Sequence, residues 1–183
     1  MKVYHESAWT KPRPDCPHPE RWSSTDPQST EREVSELVGT FVRALQPDYV
    51  IETGTCLGQT ARIIGLALQA NGRGHLDTLE TDHERAARAR EQCDGLPVAV
   101  LEVSSLDFTP SEPVGFAWFD SRIELRVAEF DLYRPHLIPG SIVGFHDTSP
   151  HQGDWGRAVE EIPNTRAIRL RTPRGVTFVE VCE

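Results

Sequence analysis

Residues 49–60 read Tyr49-Val50-Ile51-Glu52-Thr53-Gly54-Thr55-Cys56-Leu57-Gly58-Gln59-Thr60, and the fold turns on this stretch. Its first five residues are aromatic or β-branched apart from one acid, which suits a strand. Two glycines four apart follow, where the chain passes into a helix-forming run. A glycine just past a strand lets the backbone turn sharply, and one that opens a helix leaves free amides pointing outward. Ligands of open α/β sheets sit outside the carboxyl ends of the strands, so this frame is a candidate ligand loop. A dinucleotide site wants G-x-G-x-x-G, because a pyrophosphate must touch the backbone. Here Glu52 stands where that fingerprint has its first glycine. A carboxylate at the cleft mouth repels a pyrophosphate and attracts a cation.

Upstream, Thr30 and Glu33 make a T-x-x-E capping-box pattern ahead of Val34, Leu37, Val38, Phe41, Val42 and Leu45, a core-facing helix ended by Pro47. Downstream, a helix runs from about Gly58 to Ala70, and a strand His75 to Glu80 leads into a helix capped by Asp82 and running to about Cys93. Pro97 to Val103 reads as strand, Phe116 to Asp120 as strand, Glu124 to about Leu137 as helix and Ser141 to His146 as strand. This alternation predicts a Rossmann-like, doubly wound α/β sheet. Arg166 to Thr172 and Val176 to Val181 are joined only by Pro173-Arg174-Gly175, too short a link for a parallel crossover. The sheet is therefore expected to be mostly parallel with a reversed C-terminal strand. Glu80, ending the second strand, can accept both hydroxyls of a ribose.

With 183 residues and 38% hydrophobic content, the chain suits one core. We expect a single domain over residues 29–183, preceded by a proline-rich arm, residues 1–28, that carries Trp9 and Trp22. Two tryptophans in such an arm suggest packing on its own domain or on a neighbouring subunit of a homo-oligomer. Asp15, Cys16 and His18 of the arm read as a plain loop rather than a metal set. A net charge of -9 with scattered arginines argues against nucleic acid as a partner. No apolar run approaches a membrane span, and the first residues lack the apolar core of a signal peptide, so a cytoplasmic protein is expected. Cys16, Cys56, Cys93 and Cys182 form no CxxC pair and read as free thiols.

Four stretches in order resemble a known family. VIETGTCLGQT (50–60) is similar to the first motif of class I S-adenosylmethionine-dependent methyltransferases, and HLDTLETDHERAARAR (75–90) to the second. VGFAWFDSRIELRVAEFDLYRPHLIPGSIVGFHDT (114–148) resembles their later strand-helix-strand, and RAIRLRTPRGVTFVEV (166–181) their closing hairpin. Small-molecule O-methyltransferases of the catechol and sugar-modifying kind are the most similar branch. The resemblance implies S-adenosylmethionine as cofactor, with Glu52 near the methionyl amine, Gly54 and Gly58 beneath the cofactor, Glu80 on the ribose and Ser104 and Ser105 beside the adenine. Thr53 and Asp120 count with these as cofactor-binding. It also implies Asp120, His146 and Asp147 as catalytic candidates, and Asp120 and Asp147 as holders of a magnesium ion, with Thr148 at a third ligand position. Thr148 stands where relatives often have a carboxylate or asparagine, and Ile123 where many have histidine. A small-molecule hydroxyl would then be methylated by in-line transfer, its proton removed with help from Mg²⁺ or by His146 or Asp120 as base. Two alternatives are an NAD-dependent oxidoreductase, with Glu80 as its ribose acid, and a non-catalytic adenosyl-binding module of the same fold.

Overall fold

The computed structural model describes residues 11–26 and 28–182; Trp9 lies outside them. The wholly buried strand β1 (Tyr49–Thr53) sends alternate side chains to two layers, as a strand covered on both faces must. Tyr49 and Ile51 join Phe119, Phe130, Tyr133 and Phe145 on one face. Val50 joins Val38, Ile64, Leu68 and Trp118 on the other. Helices α1 (Arg32–Leu45), α2 (Gln59–Asn71) and α3 (His83–Gln92) cover the second face, while α4 (Arg126–Tyr133) and α5 (Trp155–Glu160) cover the first.

The remaining strands are β2 (His75–Glu80), β3 (Val98–Glu102), β4 (Val114–Phe119), β5 (Leu137–His146), β6 (Thr165–Leu170) and β7 (Val176–Val181). Their order across the sheet is β3-β2-β1-β4-β5-β7-β6. β1 to β5 are parallel, and β7 runs antiparallel to both β5 and β6, as the short Pro173-Arg174-Gly175 link requires. The strand order reverses between β1 and β4, which opens a crevice at their carboxyl ends. Thr53 pairs with Phe119 and Phe119 with Phe145, so Gly54, Asp120 and His146, one residue further along, come level at the crevice floor.

Two expectations change, and one element is new. Thr30 and Glu33 do not form a capping box: the N-cap is Glu31, without a side-chain cap bond, because Thr30 donates to Asp120 and Glu33 accepts from Ser23 N and Oγ. The helix expected over 124–137 is helical only from Arg126 to Tyr133, flanked by 3-10 turns, the second of which contains Pro135. The six-residue α5 was not legible, since so short a run shows no period. The arm packs on its own chain: Cys16 is fully buried, Asp15 accepts from Ser149, and Arg13 donates to the carbonyl of Pro173.

Candidate functional site

The crevice holds a cavity of about 560 Å³ between the loop after β1, the ends of β2 and β4, and the start of α4. Gly54, Glu80, Ser104, Ser105, Asp120 and Asp147 all line it, six of the residues the sequence singled out. Cys56 and Asp147 line it too, and both hold positive φ (50° and 60°) without being glycine. Such backbone strain, on the order of 1 kcal/mol or more each, concentrates at functional sites.

Glu80 is held rigidly. Its Oε2 accepts from Cys56 N at 2.8 Å, and Oε1 accepts from Thr81 N at 2.9 Å and Asp82 N at 3.0 Å. Three backbone donors fix the carboxylate at the cavity wall and leave one of its four acceptor sites without a partner among the described residues. Gly54 is required by its φ of 80° and by the end of β4: a Cβ there would come within 2.7 Å of Ser121 N. Gly58, also at positive φ, has a packing role of its own. A Cβ on it would meet Ala89 Cα of α3 at 2.9 Å, so it lets two helices approach and does not line the cavity. Thr53 likewise turns away, its hydroxyl donating to the buried Glu129 at 3.1 Å. Ser104 Oγ accepts from Leu106 N, and Ile123 lines the wall as an apolar residue.

Glu52 lies beside the main cavity in a small adjoining one, of about 30 Å³, shared with Thr30, Gly54, Cys56 and Asp120. It is buried and receives a hydrogen bond from Thr78, whose hydroxyl is in turn 2.6 Å from that of Thr55. Among the described residues no cation forms an ion pair with it. Burial, reinforced by the charges of Asp120 and Glu80 and only partly offset by Thr78, pushes its carboxyl up to about 8.

Beyond Asp120 the chemistry is opposite. His146 is fully buried, with Nδ1 2.9 Å from Asp120 Oδ1 and Nε2 2.6 Å from Glu31 Oε2. Two carboxylates can be served only by two N–H groups, so the ring is an imidazolium. Burial alone would lower its pKa, but the charges of Asp120 and Asp147 prevail and raise it to about 9. Arg126, from α4, donates through one nitrogen to Asp120 Oδ1 and Asp147 Oδ2, both at 3.1 Å. Arg174, in the turn between β6 and β7, grips Asp147 with Nε at 2.6 Å from Oδ1 and Nη2 at 2.9 Å from Oδ2. Its backbone N–H donates to Glu31. Burial raises the pKa of each acid, yet the charges of His146 and, at Asp147, of Arg174 more than reverse this, so all three carboxyls sit below their ordinary values. Asp120 keeps 11% of its side-chain surface exposed against 5% or less for Glu31, His146 and Asp147, so of the two acids of the cluster that line the cavity, Asp120 and Asp147, it is the more open.

One atom from each of Asp120, His146 and Asp147 lies within 4.8 Å of the others, a spacing that could gather a cation. The donors as they stand do not fit magnesium. His146 has no lone pair to offer, both oxygens of Asp147 already accept from guanidinium groups, and Thr148 shares its hydroxyl with Thr177. His146 also does not line the cavity. Sequence reasoning missed Thr30, Glu31, Arg126 and Arg174. The available signal was an arginine in the short turn Pro173-Arg174-Gly175, where the turn itself has no need of one.

Solved structures share this fold at low identity. An O-methyltransferase from Bacillus cereus in complex with SAH has 19% identity and a TM-score of 0.71, over 85% of this chain and 84% of that one. The SAH-bound methyltransferase PaMTH1 of Podospora anserina has 14% identity and a TM-score of 0.74, over 87% and 83%. The O-methyltransferase TomG of Streptomyces achromogenes, involved in tomaymycin synthesis and solved with SAM, has 17% identity and a TM-score of 0.70, over 100% and 93%. No curated protein matches the sequence. The methyltransferase-domain family matches residues 51–148, from the middle of β1 past the end of β5, and so takes in Glu52, Glu80, Asp120 and Asp147. The chain belongs to the methyltransferase-domain family.

Proposed function

We propose that the cavity binds S-adenosylmethionine and that its methyl group passes to the hydroxyl of a small-molecule acceptor. The observation that carries this reading is Glu52, a buried carboxyl that no cation of the described chain accompanies. A buried acid in that state is costly when ionised unless a ligand brings the positive charge, and a methionyl ammonium does. Glu80, preorganised by three backbone N–H groups, suits the two ribose hydroxyls, and Ser104 and Ser105 suit the base at the far wall. Neither acid welcomes a pyrophosphate, which is why the nicotinamide alternative is the weaker one.

The cofactor would supply a methyl group on a cationic sulfur, already activated, so the chain's task is alignment and proton handling. Asp120 Oδ2 accepts from Thr30 at 2.5 Å and has capacity left on the cavity side. In this reading it accepts the hydrogen bond of the acceptor hydroxyl and aligns that oxygen for attack. A carboxylate held below its ordinary pKa is too weak a base to ionise the hydroxyl beforehand. It is basic enough once the C–O bond forms, because an oxygen that gains positive charge releases its proton readily. His146 acts through Asp120 as a positioning residue, which differs from the base role considered above. Expected site members Gly58 and Thr53 support the loop from behind.

The arm, residues 1–28, belongs to the acceptor side in this reading: Gln28 lines both cavities, and Gln59 donates to Thr25. The acids and cations of the cluster all come from one chain, so a homo-oligomer would add to the site without completing it. Four free cysteines suit a reducing, cytoplasmic setting, and no helix among the described residues is long and apolar enough to cross a membrane. Calorimetric titration with S-adenosylhomocysteine tests the reading. Binding with one equivalent is expected, and the absence of binding would overturn it. Binding without turnover on any hydroxylated acceptor would favour the non-catalytic adenosyl module.

A further inference from the structure

The cluster at the ends of β4 and β5 balances its own charge. It holds three carboxylates, Glu31, Asp120 and Asp147, and three cations, Arg126, Arg174 and the His146 imidazolium. Deepening the reading of this crevice as the acceptor side of a methyltransferase, we infer that it works without a divalent cation, the guanidinium groups of Arg126 and Arg174 holding the charge position that the Asp120–Asp147 pair would otherwise offer to a metal.

The donors carry the argument. Magnesium asks for a near-octahedral shell of oxygens at about 2.0–2.1 Å. Asp147 is already surrounded by Arg174 Nε and Nη2, Arg126 Nη2 and Gln152 Nε2, at 2.6 to 3.1 Å. Asp120 Oδ1 accepts from His146 and Arg126, so within this cluster only Asp120 Oδ2 keeps capacity toward the cavity, and it already accepts from Thr30. Neither arginine is free to swing aside. Arg126 is 2% exposed and also donates to the carbonyls of Ser121 and His146, while Arg174 donates to the carbonyl of Ser29. A guanidinium cannot shed its proton to make room, as a lysine could. A doubly charged ion here would therefore face two fixed positive charges a few ångströms away, with no uncompensated carboxylate to hold it. The acceptor that fits presents one hydroxyl to Asp120 Oδ2; chelation of two adjacent oxygens plays no part.

Manganese, read by electron paramagnetic resonance, is the probe, using the full ligand-free chain. The wild type is expected to take up no stoichiometric Mn²⁺, and S-adenosylhomocysteine calorimetry on the same preparation shows whether the site is intact. Arg174→Met removes one guanidinium while keeping much of its aliphatic bulk, and should raise Mn²⁺ affinity on the order of 100-fold. Arg174→Lys, which keeps a charge but on a group that can shed its proton, should gain less Mn²⁺ affinity than Arg174→Met. One equivalent of Mn²⁺ bound by the wild type and lost in Asp147→Asn would overturn the inference, and so would an Arg174→Met chain that still binds S-adenosylhomocysteine yet gains no affinity for Mn²⁺. The wild-type measurement decides even where a variant fails to fold. Failure to bind S-adenosylhomocysteine would count against the methyltransferase reading alone, because the manganese experiment uses no cofactor.

Discussion

The two sides of the crevice treat buried charge in opposite ways. On the β1–β2 side, Glu52 is buried with no cation paired to it among the described residues, and its carboxyl is pushed up to about 8. On the β4–β5 side, three carboxylates meet three cations within hydrogen-bonding distance, and every acid is held below its ordinary pKa. An unpaired buried acid is a cost that a cationic ligand removes, whereas a balanced cluster is already satisfied and resists further charge. The first side is built to receive a ligand, and the second to hold Asp120 still and ionised. The two meet at Asp120, which lines both cavities.

The largest effect should come from breaking the contact between the two sides. Asp120→Asn removes the aligning and proton-accepting carboxylate, and turnover should fall by roughly 100-fold or more. Cofactor affinity should change only a few-fold, since the other proposed cofactor groups lie on β1, β2 and the loop after β3. Single-turnover kinetics beside calorimetry would separate these, and loss of both together would contradict the division. Next in size is the balanced cluster's own stability. His146 has its pKa raised from 6.5 to about 9, so its contribution is fully present below pH 6.5 and is lost as pH rises through about 9. It is on the order of 3 kcal/mol as an upper figure. The paired acids behave oppositely, contributing above their ordinary pKa values and losing that contribution as pH falls through the depressed ones. Melting temperature should therefore peak between acid and alkaline arms. Glu52 adds to the alkaline arm in the ligand-free chain, because a raised acid also loses its contribution as pH rises, here from 4.5 through about 8. Glu52→Gln should flatten that part and leave the His146 part. An alkaline arm unchanged in both Glu52→Gln and His146→Gln would show that neither residue titrates as described.

A smaller effect sharpens the ligand-receiving side. Glu80→Ala deletes a carboxylate that three backbone donors orient, and should weaken S-adenosylhomocysteine binding by roughly 1 to 3 kcal/mol with the melting transition retained. Removing residues 1–28 is expected to change cofactor affinity least, while slowing turnover. Full activity in the truncated chain would detach the arm from the acceptor side.

The strands were legible because each is a short run that carries buried apolar or β-branched residues and is bounded by turn residues: Tyr49–Thr53, His75–Glu80 and Val176–Val181 fall where the sequence puts them. Glu52, Glu80 and Asp120 were legible as acids at strand ends, where side chains reach the crevice. The partners of those acids were not. Thr30 and Glu33 match a capping pattern over four residues, yet Thr30 reaches Asp120 ninety positions away, and nothing local distinguishes the two outcomes. Arg174 reads as part of a tight turn, and its grip on Asp147 exists only because β7 pairs with β5. Gly58 shows the limit of such signals: glycine marks a close approach without saying to what, and here the approach is to Ala89 of α3.

The most direct test of the central claim is proton release on cofactor-site binding, measured by titrating S-adenosylhomocysteine into the wild-type chain near pH ~6.5 in buffers of different ionisation enthalpy. At that pH the ligand's ammonium is charged, its pKa lying well above it, while ligand-free Glu52 holds its proton. Binding should release close to one proton in the wild type and close to none in Glu52→Gln, with affinity falling in that variant. Binding that releases no proton in the wild type, or that Glu52→Gln leaves equally tight, would contradict the account.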